Sequence, residues 1–128
     1  MEDEAELRSF AELLMRLVRD QAIDTCDALA AGRMGGYTGR RWHKLLGDDE
    51  RGREAVHAVI PEIVDEVLFA LLNALDQGDL PLAWRGEDGS YEDLSELGGS
   101  EMAGDFLGED GWRDHYSSQR FFERLSDG

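Results

Sequence analysis

An apolar stripe through residues 49–77 constrains the fold of this chain more than any other feature. Large apolar side chains recur there at three- and four-residue steps, which is the period of an α-helix with one buried face. The stripe consists of Val56, Val59, Ile60, Ile63, Val64, Val67, Leu68, Leu71, Leu72 and Leu75. Pro61 falls inside it, and a proline removes one helical hydrogen bond. Because the apolar phase continues past Pro61, the pattern predicts either one kinked helix or two abutting helices, 49–59 and 61–77.

A second stripe of the same period predicts a long helix over residues 4–31. Its apolar positions are Leu7, Phe10, Leu14, Leu17, Val18, Ala22, Cys26 and Leu29. Gly32 follows the last of them and is typical of a helix C-terminus. A shorter helix is predicted over residues 39–46, with Thr38 as its cap. The residues expected to face inward from it are Trp42, Leu45 and Leu46.

The pattern changes after residue 78, where apolar residues begin to alternate with polar ones. Asp88-Gly89 is a turn signal, so a short β-hairpin is predicted with strands at 80–85 and 90–95. Ser100 is predicted to cap a short helix that carries Met102, Phe106 and Leu107. A terminal helix is then predicted to carry Trp112, Tyr116, Phe121, Phe122 and Leu125.

Together these elements predict one mainly α domain over residues 1–128. A length of 128 residues fits a single domain, and 41% apolar residues are typical of a globular chain. We expect a small helical bundle in which two long helices pack antiparallel as a spine over residues 1–78. Residues 79–128 are expected to form an acidic cover over one face of that spine, with the short β-hairpin among them.

The sequence also predicts a compartment. Cys26 is the only cysteine, so no internal disulfide can form, and its position in an apolar stripe indicates a buried thiol. The first residues, Met-Glu-Asp-Glu, lack the basic and apolar regions of a secretory signal. The longest apolar stretch, residues 67–72, is too short to span a bilayer. We therefore expect a cytoplasmic protein.

The charge distribution restricts the class of partner. The chain has a formal net charge of −16, and residues 76–114 hold twelve carboxylates against two arginines, Arg85 and Arg113. A field of that sign repels nucleic acid phosphates and anionic lipid headgroups, and it favours a basic protein. We therefore expect neither a nucleic acid nor a membrane partner. An ordinary solvated acidic surface is the alternative interpretation of this stretch.

Aromatic side chains within the acidic stretch are candidate contacts for a protein. Large aromatic rings dominate protein interfaces, and surrounding carboxylates steer a basic partner towards them. The predicted partner-binding residues are Trp84, Tyr91, Glu92, Asp93, Glu96, Asp110 and Trp112. The alternative is that these aromatic rings complete the core of a small domain.

One basic segment stands apart from the rest of the chain. No carboxylate occurs between Arg33 and Gly47, and the segment carries Arg40, Arg41 and Lys44 as well as Arg33. These side chains are candidates for binding phosphate or an acidic partner. The favoured interpretation is that they neutralise the acidic surface of the protein itself.

Patterns that carry catalysis are weak in this sequence. There is no Gly-x-Ser-x-Gly nucleophile elbow, no EF-hand spacing and no P-loop lysine after the glycines of 32–39. Cys26 with one of the scattered histidines His43, His57 and His115 is a remote candidate for nucleophilic chemistry. A third functional alternative, a small metal-dependent protein, rests on Asp105, Glu109, Asp110, Asp114 and His115. We predict no catalytic residue, no metal ligand and no cofactor.

Three segments together resemble a set of short, mostly helical bacterial proteins of unknown function. They are residues 60–77, from Ile-Pro-Glu-Ile-Val-Asp through Leu-Asp-Gln, then Glu-Leu at 96–97, and Gly-Glu-Asp-Gly-Trp at 108–112. The resemblance covers about the last two thirds of the chain. It implies a bacterial origin and a mostly helical fold, and it implies no catalytic residue.

The function that these observations favour is protein binding without catalysis. We expect a cytoplasmic inhibitor of a basic partner, of the antitoxin or immunity-protein type. The alternative is a self-associating structural or accessory subunit, in which an apolar stripe of a long helix forms a homodimer interface.

Overall fold

The computed structural model describes residues 2–121, and it is mainly helical with one small antiparallel sheet of two strands. The N-terminal rod consists of α1 (Glu2–Leu13), a π-helical turn (Leu14–Arg19) and α2 (Asp20–Ala30). In the π-helical turn, hydrogen bonds reach five residues back, so the Asp20 N–H donates to the Met15 carbonyl. Gly32, in the left-handed region at φ 74°, ends the rod in the way the sequence predicts.

The π-helical turn changes which side chains of the N-terminal rod face the core. A wider turn rotates the following residues relative to a regular α-helix, so a stripe read at 3.6 residues per turn drifts off the buried face. Leu17 and Val18, predicted in the core, are 62% and 45% exposed. Met15, Arg19 and Ile23 are fully buried instead. The sequence prediction was therefore wrong for Leu17 and Val18.

The third helix is longer than predicted, and fewer of its side chains than predicted face the core. α3 spans Gly36–Leu46, and Gly35 rather than Thr38 occupies its N-cap position. Trp42 and Leu46 pack against α2, as predicted. Leu45 is 69% exposed, so its predicted inward orientation is wrong. Gly39 lies against the Met34 carbonyl, where a side chain would not fit.

The strongest stripe forms a single helix. α4 spans Glu50–Asp76, and the Asp49 side chain caps it by accepting a hydrogen bond from the Arg51 N–H at 3.1 Å. Pro61 is inside this helix and is buried, so the alternative of two abutting helices is wrong. The apolar stripe is wider than the buried face of α4. The residues predicted in the core but exposed are Val59, Ile63 and Val67.

The predicted hairpin is confirmed, with shorter strands. β1 (Ala83–Arg85) pairs antiparallel with β2 (Tyr91–Asp93), and Trp84 lies opposite Glu92. Gly89 takes the positive φ of 84° that the turn requires. A short helix that was not predicted, α5 (Leu94–Leu97), follows directly, and the Asp93 side chain caps it.

Two more short helices complete the described part of the chain, α6 (Met102–Leu107) and α7 (Trp112–Tyr116). Ser100 does not cap α6, because the Asp76 carboxylate accepts hydrogen bonds from the Met102 and Ala103 N–H groups at 3.0 and 2.9 Å. The terminal helix ends at Tyr116, so Phe121 is not part of it. Phe122 and Leu125 lie outside the described residues.

Two apolar clusters hold these elements together. The larger one joins Phe10, Leu14 and Met15 to Leu68, Leu72 and Leu75, and it includes the buried residues of α5, α6 and α7. The smaller one joins Ile23 and Ala30 to Ile60, beneath α3. The early part of the rod therefore contacts the later part of α4, and the later part of the rod contacts its middle. Among residues 2–121, no helix is long and apolar enough to cross a membrane.

Candidate protein-binding surface

Four of the predicted partner-binding residues lie together on the hairpin and the start of α5. Tyr91 is 69% exposed, and Glu92, Asp93 and Glu96 are exposed beside it. Their proximity follows from local structure, because β2 leads into α5 without a loop.

The other three predicted residues are placed differently. Trp112 is buried in the larger core, where its ring meets Phe10 edge to face, so it offers no surface to a partner. Trp84 is half-buried, and its indole N–H donates to the Glu6 carboxylate at 2.9 Å. Asp110 lies in the loop between α6 and α7, and its N–H is bonded to Asp114 rather than to anything on the hairpin.

The start of α1 contributes carboxylates that lie far in sequence from the acidic stretch of residues 76–114. Glu6 accepts a hydrogen bond from the Glu87 N–H at 3.0 Å as well as the one from Trp84. Between α1 and the hairpin is a concavity of about 230 Å³. Its lining residues are Asp3, Ala5, Glu6, Trp84, Gly86, Glu87, Asp88, Ser90 and Glu92. No basic side chain of the described chain is among them.

We call this region the hairpin surface. It comprises the exposed ring of Tyr91 and the carboxylates of Asp3, Glu6, Glu87, Asp88, Glu92, Asp93 and Glu96. Nothing in the local sequence of either segment signals that residues 3–6 meet residues 84–92. The contact arises from tertiary packing, in which the Trp84 ring stacks edge to face on Phe10 at 5.4 Å.

The electrostatics of the hairpin surface are those of crowded like charges. Desolvation and, next, the nearby carboxylate of Asp3 raise the pKa of Glu92 above its ordinary value. Glu96 and Glu6 add smaller effects of the same sign. Asp88 differs, because hydrogen bonds from the Ser90 hydroxyl and N–H lower its pKa. A cation placed in the concavity would relieve the repulsion around Glu92.

A second polar region, buried between the N-terminal rod, α4 and α7, contains carboxylates that are paired with cations. Arg19, fully buried, donates from Nε and Nη2 to the two Asp65 carboxylate oxygens at 2.7 and 3.1 Å. Arg113 donates to the same carboxylate at 2.9 Å. We call these three residues the ionic cluster. Its sequence signal is Asp65, an acid on the same helix face as Leu68 and Leu72.

The ionic cluster also fixes the chain after α7. Arg19 donates to the Ser117 hydroxyl at 2.8 Å and to the Arg120 carbonyl at 2.9 Å. Desolvation raises the pKa of Asp20, but hydrogen bonds from Ser117 and Ser118 outweigh it, so the net shift is downward. A hydrogen bond from Arg120 lowers the pKa of Asp27. Arg19, Asp20, Asp27 and Arg120 make their hydrogen bonds within the chain, which is a structural rather than a binding arrangement.

The basic segment lies at a third location. Arg40, Arg41 and Lys44 are exposed on α3. Within residues 2–121 none of them forms an ion pair with a carboxylate. They therefore do not neutralise the hairpin surface within the molecule described here.

The geometry gives little support to a metal site or to nucleophilic chemistry at Cys26. Across residues 2–121, no three His, Cys, Asp or Glu side chains are grouped so as to hold a metal ion. Desolvation, followed by the charge of Asp27, raises the pKa of the Cys26 thiol, which reduces its thiolate fraction. A concavity of about 340 Å³ between α2 and α4 contains His57 and Arg53, but Arg53 is engaged with backbone carbonyls of Ala30 and Gly47.

Comparison with known proteins found no matching family model, no matching curated protein and no matching solved structure.

Proposed function

We propose that this protein binds a basic protein partner through the hairpin surface and inhibits it, as an antitoxin or immunity protein does. The observation that carries the proposal is the concavity at the hairpin, whose described lining includes five carboxylates and no basic side chain. A lysine or arginine side chain of a partner fits such a site in size and in charge.

Two further features support binding rather than simple solvation. Desolvation and the nearby carboxylates of Asp3, Glu96 and Glu6 raise the pKa of Glu92, and a bound cation would lower that pKa. Tyr91 offers a large exposed ring on the same strand as Glu92, and tyrosine is enriched at protein interfaces. Acidic surfaces around such a ring accelerate association with a basic partner.

The proposal includes the spine expected from the sequence. The two long helices, as an antiparallel pair, would hold the hairpin surface as a preformed unit, because Glu6 and Phe10 tie the hairpin to the rod. A preformed site loses little conformational entropy on binding. We propose a cytoplasmic location and a bacterial source on the grounds given by the sequence.

The test is capture of partners from the native host with a charge-reversed variant. The variant is Glu87→Lys, Glu92→Lys and Glu96→Lys, which leaves the α5 cap Asp93 intact. The control is Glu62→Lys, Glu66→Lys and Asp79→Lys, which makes the same change in net charge at exposed positions that are not part of the hairpin surface. We expect a stoichiometric basic partner with the wild type and the control, and its loss with the variant.

A purified pair then allows association rates to be measured against salt concentration. The wild type should associate faster at low salt, and the hairpin variant should show a flatter salt dependence. If the hairpin variant and the control retain the partner equally, the hairpin surface is not the contact.

A second candidate function is self-association through α4. Val59, Ile63 and Val67 recur at four-residue steps on one helix face and are 42%, 59% and 65% exposed. Such a stripe suits a symmetric homodimer interface. Replacing Ile63 and Val67 by Ser should then convert a dimer to a monomer in sedimentation velocity. A wild-type protein that is monomeric at all concentrations would remove this candidate.

A further inference from the structure

The outward face of α3 is basic and has no partner in the described chain. Arg40, Arg41 and Lys44 are exposed, and none of them pairs with a carboxylate of residues 2–121. Tyr37 and Leu45 are exposed on the same helix, at 75% and 69%. Three cations with one aromatic and one aliphatic side chain resemble a protein interface in composition. We call these five residues the α3 surface.

The α3 surface and the hairpin surface lie at opposite ends of the N-terminal rod. Glu6, near the start of the rod, is bonded to the hairpin. Trp42 and Leu46 of α3 pack beside Cys26, near its end. Twenty helical residues between Glu6 and Cys26 correspond to about 30 Å at the helical rise. The two surfaces therefore cannot meet within one molecule, but they can meet between two.

We propose that the α3 surface of one copy docks on the hairpin surface of a second copy. Charge complementarity identifies the occupant, because the described chain itself supplies an acidic concave surface with no basic side chain in its lining. The contact joins two different surfaces, so one copy keeps a free hairpin surface, the other keeps a free α3 surface, and the assembly extends head to tail. The proposal rests on the proposed function, because both use the same hairpin surface.

Net charge gives this contact a characteristic dependence on salt. At about 0.01 M salt the screening length is about 30 Å, so the whole charge of −16 on each copy acts against association. At about 0.15 M it is about 8 Å, which screens distant charges and leaves the local attraction. At about 1 M it is about 3 Å, and the local attraction is screened as well. Self-association should therefore be strongest at intermediate salt.

That dependence separates the contact from its competitors. A homodimer through the apolar stripe of α4 would strengthen steadily with salt, because screening removes repulsion and leaves apolar burial unaffected. Nucleic acid or an anionic membrane would also attract the α3 surface locally. The net charge of −16 opposes both, as it opposes a second copy, but their polyanionic surfaces extend beyond one contact and add to the repulsion.

The experiment uses the full chain and two charge-reversed variants. The first is Arg40→Glu, Arg41→Glu and Lys44→Glu, and the second is Glu87→Lys, Glu92→Lys and Glu96→Lys. Each variant alone carries two surfaces of the same sign and should not self-associate. An equimolar mixture restores complementary pairs and should associate in sedimentation velocity at about 0.15 M salt. We expect each single variant to associate at least tenfold more weakly than the wild type.

The control replaces the second variant by Glu62→Lys, Glu66→Lys and Asp79→Lys, which has the same net charge. This control should self-associate as the wild type does. Mixed with the first variant, it should show no gain over its own self-association.

A wild type that stays monomeric through the salt series, or a mixture no more associated than its components, would overturn the proposal. Binding of double-stranded DNA or of phosphatidylserine vesicles, lost in the first variant and without self-association, would also overturn it. The proposed function fails separately, because it requires only that the second variant lose the captured partner. Capture by the first variant should be unchanged.

Discussion

The ionic cluster and the hairpin surface use the same side-chain chemistry in opposite ways. In the ionic cluster, Asp65 lies between two guanidinium groups that are bonded to it in fixed geometry. On the hairpin surface, Glu92 is surrounded by other carboxylates and by no cation of the concavity lining. A carboxylate whose charge is already compensated stabilises the fold, whereas one that is not compensated is available to a partner. The number of acids in a segment does not distinguish these cases.

The largest expected effect is that of breaking the ionic cluster. Asp65→Asn leaves Arg19 and Arg113 buried without a counter-charge, and such a loss costs about 3–5 kcal/mol of stability. The neighbouring exposed Glu66→Gln should change stability by no more than about 0.5 kcal/mol. Urea unfolding of the two variants measures the difference. Similar free energies of unfolding for both would show that the ionic cluster is no more structural than the exposed surface.

An intermediate effect is expected at Asp20, whose carboxylate accepts hydrogen bonds from Ser117, Ser118 and Gln119. Asp20→Asn should cost about 1–3 kcal/mol at neutral pH, because it weakens charge-assisted hydrogen bonds. The pKa of Asp20 is lowered on folding, so its contribution is fully present above the ordinary value of 3.8. It is lost as the pH falls through the lowered value.

The measurement for Asp20 is the unfolding midpoint of the variant and the wild type across a pH series. The difference between them should shrink as the pH falls below about 4. A difference that is constant across that range would mean that the charge of the Asp20 carboxylate adds no stability beyond what the shape of its side chain supplies.

Elements governed by local signals could be predicted from the sequence. The sequence offers Asp48 or Asp49 as the cap of α4, and the structure uses Asp49. Asp88-Gly89 places the hairpin turn, because turn preferences depend on a few neighbouring residues. Among the seven predicted partner-binding residues, the exposed Tyr91, Glu92, Asp93 and Glu96 lie close together because they are adjacent in a strand and the helix that follows it.

Features that depend on distant residues could not be predicted. The π-helical turn places Arg19 towards Asp65, forty-six residues away, and no pattern within the rod indicates it. Asp76 caps α6 from another helix, so Ser100 was chosen wrongly from its position alone. The part of the hairpin surface that α1 supplies was missed because Glu6 has no local partner to mark it.

The smallest expected effect is at Glu92, and its sign is opposite to that at Asp20. Folding raises the pKa of Glu92, so the folded state favours the protonated form. The ionised carboxylate therefore costs stability, and this cost develops as the pH rises from the ordinary value of 4.5 through the raised one. Glu92→Gln should consequently raise the unfolding midpoint slightly at neutral pH, and the gain should disappear in acid.

A basic partner should have the same effect on the wild type as that substitution. If a bound cation lowers the pKa of Glu92, binding at a pH near the raised pKa should release a proton from this carboxyl group. Glu92→Gln should abolish that proton release. Calorimetric titration in buffers of different ionisation enthalpy measures it. A substitution that lowers the midpoint at neutral pH would mean that Glu92 is already compensated, and the distinction between the hairpin surface and the ionic cluster would then fail at its central residue.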